Sequence, residues 1–173
     1  MNTRFLFAFI IVVLALLIGF AACVDPREGY APSQPVAFSH QLHAGDNEIP
    51  CQYCHTSVGE SPHASVPSVN TCMNCHSQVG GRTPAGQREI KKIKDAWTNN
   101  DPIDWVKVHD MPDHVKFSHE PHIGSGLDCT ECHGQVNTMD VVSVQNEFNM
   151  GWCVNCHRQP EHNAPVDCVT CHY

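Results

Sequence analysis

CQYCH, Cys51 to His55, sets two thiols three residues apart with an imidazole directly behind them, and the chain carries four further copies of the pattern. These are CMNCH (Cys72 to His76), CTECH (Cys129 to His133), CVNCH (Cys153 to His157) and CVTCH (Cys168 to His172); with the first they use every cysteine except Cys23. Thiols at this interval share one helical turn, where each can add to a vinyl group of the same haem, and the adjoining histidine is delivered to one face of the iron. Zinc also takes C-x-x-C pairs, but four-ligand zinc sites combine them two by two and give no reason for a histidine after each. Disulfides within C-x-x-C close loops too short to stabilise a fold much, and they too leave the histidine unexplained. The repeat therefore predicts five covalently attached haem c groups. Cys51, Cys54, Cys72, Cys75, Cys129, Cys132, Cys153, Cys156, Cys168 and Cys171 are the attachment thiols, and His55, His76, His133, His157 and His172 the proximal iron ligands.

Composition agrees with an interior built around a cofactor. The 173 residues include 11 cysteines, 13 histidines, 12 prolines and 11 glycines, which leaves few long apolar runs to make a core. Haem edges are expected to fill it, with few strands, short motif-bearing α-helices and otherwise irregular chain. Folding is then tied to haem attachment, because the apo chain cannot bury enough apolar surface to offset its own ordering. A net charge of −8 excludes nucleic acid as a partner, since no basic stripe exists to neutralise phosphates. The one basic cluster, Arg88, Lys91, Lys92 and Lys94, reads as a solvated helix face.

The occupant of each iron's second axial position separates electron transfer from catalysis. Eight histidines lie outside the motifs: His40, His43, His63, His109, His114, His119, His122 and His162. Four of them form two matching pairs, FSHQLH (Phe38 to His43) and FSHEPH (Phe117 to His122). Histidines three apart on a helical turn share one face with Cβ atoms about 5–6 Å apart, so their rings can reach two different irons. One zinc shared by each pair, or solvated surface rings, is the plainer alternative. The pairs and the motif that follows each recur at offsets of 78 or 79 residues, and the next motif at 81, so a two-haem module reads as duplicated with a fifth haem appended. His40, His43, His119 and His122 are thus four distal ligands, His40 for the haem at Cys51 and His119 for that at Cys129. His109, flanked by Val106, Val108 and Met111, is the fifth; Met150 or Met139 is the rival and would raise that haem's potential. His63, His114 and His162 read as surface residues or propionate partners.

The amino terminus decides the compartment. Phe5 to Ala22 is an 18-residue run without a polar or charged side chain, and a helix of that length, about 27 Å, nearly crosses a bilayer core of about 30 Å. Arg4 precedes it and Asp25 follows, which places the terminus in the cytoplasm and the rest of the chain outside. A cleaved signal peptide and a lipoprotein signal ending at Cys23 compete with a retained anchor. GFAAC has Phe20 where lipoprotein signals usually carry leucine, and the run exceeds a usual signal core, which favours the anchor. The expected layout is an anchor over residues 1–23, a proline-rich tether over 24–37 and a first dihaem module over 38–82. A connector over 83–116 and a three-haem module over 117–173 complete it. Within the connector, Thr83 and Pro84 start a helix whose Ile90, Ile93 and Trp97 fall on one stripe, and Asn99 to Pro102 stop it. Trp97, Trp105 and Trp152 are read as packing against haem.

The F-S-H-x-x-H element ahead of C-x-x-C-H resembles the class III cytochromes, multihaem proteins in which such histidines ligate different haems. PVAFSHQLHAGDNEIPCQYCH, WVKVHDMPDHVKFSHEPH and NMGWCVNCHR are also similar to the pentahaem, membrane-anchored cytochrome c subunit of alternative complex III, over nearly all the chain after Pro35. That resemblance implies a non-catalytic electron-transfer subunit on the periplasmic face of a menaquinol-oxidising complex. Its implied partners are an iron–sulfur subunit, polytopic quinol-binding membrane subunits and a monohaem cytochrome c. The VKVHDMPDHV segment is one reason for choosing His109. Two rival functions stand beside it: an anchored donor to a periplasmic reductase, and a multihaem reductase with an open, high-spin iron.

Overall fold

The computed structural model describes residue 7, residues 9–14 and residues 27–173. Most of the run read as a membrane anchor, Cys23 included, lies outside the described residues. Residues 9–14 are helical, and among the described residues no helix is long and apolar enough to cross a membrane.

The rest is short helices joined by irregular chain, with no named strand among the described residues. A π-helical turn, Gln41–Asp46, follows His40, and seven α-helices come after it. They are α1 (Cys51–Cys54), α2 (Val69–His76), α3 (Pro84–Asn99), α4 (His119–Gly124), α5 (Cys129–His133), α6 (Met150–His157) and α7 (Cys168–Cys171). All five C-x-x-C pairs thus sit on helical turns, in α1, α2, α5, α6 and α7. Local chemistry starts several of them: the Asp128 carboxylate takes the Thr130 N–H at 2.8 Å ahead of α5, and the Asn149 side-chain carbonyl takes the Trp152 N–H at 2.8 Å ahead of α6.

The connector helix α3 is the one long element. Thr83 Oγ1 accepts the Gly86 N–H at 3.1 Å, Pro84 occupies the first turn, and Asn100 ends the helix in the left-handed region at φ 57°. Ile93 is buried, while Trp97, on the same stripe, stays about half exposed. On the outer side Lys91 pairs with Asp95 at 2.5 Å and Lys92 with Glu89 at 2.8 Å.

From Arg27 onward, the segment read as a tether is strapped across the connector. Gln34 donates to the Val106 carbonyl and accepts from the Val106 N–H, both at 2.8 Å; Arg27 donates to the Val108 carbonyl at 3.0 Å. Glu89 takes the Ala37 N–H at 2.8 Å, and Lys92 Nζ donates to the Pro35 carbonyl at 2.9 Å. The π-helical turn is clamped to the chain that follows the third motif, through the Gln41 N–H to the Met139 carbonyl at 2.9 Å. Gly45 permits that approach, since a Cβ there would stand 2.3 Å from the Asn137 carbonyl oxygen. Val36, Val58, Ile93 and Val144 are the buried apolar side chains among the described residues, too few to close a core from polypeptide alone.

Candidate functional site

Both histidine pairs are built by the same local circuit. His43 Nδ1 donates to the Ser39 carbonyl at 2.8 Å, and His122 Nδ1 donates to the Ser118 carbonyl at 2.7 Å. Phe38 meets His40 edge-on with ring centres 4.9 Å apart and stacks on His43 at 4.3 Å. Phe117 repeats this with His119 at 4.8 Å and His122 at 4.9 Å. The aromatic is a wedge that fixes both rings.

A backbone carbonyl only accepts, so each Nδ1 bonded to one carries the proton and leaves the Nε2 lone pair for a metal. Seven histidines are arranged this way. Besides His43 and His122, His55 donates to the Ser65 carbonyl at 2.7 Å, His76 to Val79 at 3.0 Å and His157 to Pro165 at 2.7 Å. His119 donates to Pro62 at 2.9 Å and His172 to His114 at 3.2 Å. Such a second bond is the usual orienting device of a metal-bound imidazole.

The rings also meet at the interval that haem iron requires. Two imidazoles bound end-on to one metal have centres about 6 Å apart, from two metal–nitrogen bonds of about 2 Å and half a ring on each side. His43 and His76 are 6.1 Å apart, His119 and His133 6.3 Å, and His122 and His157 6.0 Å. His40 Nδ1 is buried with no hydrogen-bond partner, and His55 and His43 are the rings around it. Burial first, then those two neighbours, pushes His40 down to about 4; burial, then His109, His119 and His55, does the same to His133. Both rings are therefore neutral at pH 7, the form that binds a metal.

None of the ten motif cysteines is paired in a disulfide. Burial first, then Cys156 and Cys153, raises the Cys132 thiol to about 11, so the third and fourth motifs are neighbours. By the same kind of proximity Cys54 feels Cys75, Cys129 hydrogen-bonds with Cys51, and Cys153 feels Cys171. The motifs follow one another in space in the order second, first, third, fourth, fifth. Haem c fits these residues: paired thiols, a histidine behind each, and facing rings at the required spacing.

The remaining candidates are placed differently. His109 lies edge-on to His133 at 4.5 Å, closer than a shared iron allows, with its Nε2 buried and unbonded. The ring set against His172 is that of His114, a residue read from sequence as a surface group. Its only sequence signal was its place five residues ahead of the second pair. Met150 opens α6 with its side chain 69% exposed, and Met139 contributes its carbonyl to the Gln41 bond. His63 is exposed and His162 half-buried.

Comparison with known proteins agrees with this geometry. The model for cytochrome c7 and related cytochrome c matches residues 115–173, and that for the class III cytochrome C family matches residues 21–109. The chain is also 28% identical over 189 aligned positions, covering 95% of its length and 88% of the relative, to the multiheme cytochrome c subunit of menaquinone reductase from Nitratidesulfovibrio vulgaris strain Hildenborough. Motifs, ring geometry and family models converge on covalently bound haem c and on electron transfer as its use: the chain belongs to the class III cytochrome c family.

Proposed function

We propose that this chain is a pentahaem electron relay, the membrane-anchored cytochrome subunit of a menaquinol-oxidising complex of the alternative complex III type. The ten motif cysteines would hold five haem c groups, and His55, His76, His133, His157 and His172 would each supply an iron ligand. His40 stands opposite His55, His43 opposite His76, His119 opposite His133 and His122 opposite His157. Bound haem supplies one-electron redox chemistry. An iron with histidine on both faces would have no position left for a substrate, so the four sites paired in this way would serve a relay and not a catalytic centre. The proximity of motif thiols supports a path running second, first, third, fourth, fifth.

Residues 1–23 form the anchor with the terminus in the cytoplasm, and the two modules, 38–82 and 117–173, lie on the periplasmic face. The iron–sulfur subunit, the polytopic quinol-binding subunits and a monohaem cytochrome c are the partners. The observation that carries the quinone link is the similarity, over 95% of the chain, to a subunit of menaquinone reductase. That relative's name also favours a second reading, in which electrons run the other way and reduce menaquinone.

Purification of the chain from native membranes tests both. Co-purifying iron–sulfur and polytopic subunits, with haem reduction by a menaquinol analogue, is the expected result. Quinone reduction driven by a reduced periplasmic donor, with no haem reduction by quinol, selects the reverse direction. A chain that purifies without membrane subunits and exchanges electrons with neither quinone nor quinol overturns both.

A further inference from the structure

Three of the five motif histidines, His76, His133 and His157, have a facing ring from the two F-S-H-x-x-H pairs, and a fourth, His55, has His40 near it; the fifth, His172, has no partner from either pair. The chain just ahead of the second pair is hydrogen-bonded to the last motif. Val115 and His172 form an antiparallel bridge, the Lys116 N–H donates to the Cys171 carbonyl at 2.8 Å, and His172 Nδ1 donates to the His114 carbonyl at 3.2 Å. Lys116 Nζ adds a bond to the Val169 carbonyl at 3.3 Å and lies 4.8 Å over the Tyr173 ring. These contacts bring the imidazoles of His114 and His172 together, with ring centres 5.7 Å apart and planes 12° from parallel.

We propose that His114, and not His109, is the distal iron ligand of the haem attached at Cys168 and Cys171. The assignment rests on the pentahaem reading and supplies the ligand that reading lacked. The His114–His172 spacing is close to the 6.0–6.3 Å of the three other facing pairs. His172 Nδ1 is already committed to a carbonyl, which leaves Nε2 for the iron. His109 is held elsewhere: its ring abuts His133 at 4.5 Å and 83°, and Arg27 grips the chain beside it through the Val108 carbonyl at 3.0 Å. One short stretch, His114 to His122, then delivers ligands to three irons of the second module. His114 is also the one exposed residue among the proposed distal ligands.

The test uses the full chain with its haems attached. Pyridine haemochrome and EPR of the native protein establish five haems, all low-spin. His114→Ala is expected to keep five haems while one of five ferric signals becomes high-spin and one ferrous haem in five binds carbon monoxide. His114→Met, which retains a ligand, is expected to keep all haems low-spin and to raise one potential. His109→Ala is expected to keep five low-spin haems. In a Cys168→Ala/Cys171→Ala background, which lacks the last haem, His114→Ala is expected to change no remaining signal. The proposal is overturned if His109→Ala creates the high-spin haem, if His114→Met leaves every potential unchanged, or if the His114→Ala signal persists without the last haem. A native chain with five haems but no response to His114 substitution sinks this assignment alone; a native chain without a haem at Cys168 sinks the pentahaem reading with it.

Discussion

His43 and His122 each donate Nδ1 to the carbonyl four residues back and rest on the phenylalanine that opens their pair. That circuit restrains each ring, and under the proposed ligation the spacing of the pair would set the spacing of two haems. The sequence made this legible, because rings three apart on a turn can reach two different irons and the same pair recurs with the same downstream motifs. At the fifth distal position the sequence points to His109, and the His114 that we propose there was not legible. His109 has apolar neighbours and reads as a buried ligand, whereas the placement of His114 depends on a contact with His172 across 58 residues of sequence. Local pattern carries no information about that contact. If His119 faces His133 across an iron, His119→Met should raise one of five potentials by on the order of 100 mV with haem content unchanged. Redox titration followed at the Soret band reads this directly, and five unaltered potentials would remove His119 from the ligand set.

Among the elements, α3 was the most readable, because its cap, first-turn proline, apolar stripe and stop are all local signals. Its docking was hidden: Glu89 reaches the Ala37 N–H and Lys92 Nζ, each at 2.8 Å, and so ties the helix to a proline-rich segment that composition alone presents as a free spacer. Lys92 first, then the Ala37 N–H, holds the Glu89 carboxyl below its usual range. A carboxyl lowered in the folded state stabilises above its unfolded pKa, about 4.3, and loses that contribution as pH falls through the folded value. Glu89→Gln should therefore cost about 0.5–1 kcal/mol at neutral pH and less near pH 3. Thermal melts of the two proteins at both pH values provide the check, and an equal difference at each would detach the effect from this carboxylate.

At the scale of the whole molecule the polypeptide is a set of short helices whose side chains converge on one another's motifs and bury little else. The sequence announced this through its abundance of cysteine, histidine, glycine and proline. The interlocking of the two repeats was beyond reach, since it rests on approaches such as Gly45 against Asn137 and His119 against Pro62. With only Val36, Val58, Ile93 and Val144 buried among the described residues, the chain made without haem attachment should lack cooperative unfolding and near-UV circular dichroism. A sharp thermal transition in the haem-free chain would contradict that dependence.

Intact-mass spectrometry of the purified native chain tests the central claim most directly, because thioether-bound haem survives denaturation and each group adds its own mass. Five haems on one polypeptide, all retained under denaturing conditions, is the predicted result; fewer than five, or C-x-x-C pairs found as disulfides or zinc ligands, would contradict it.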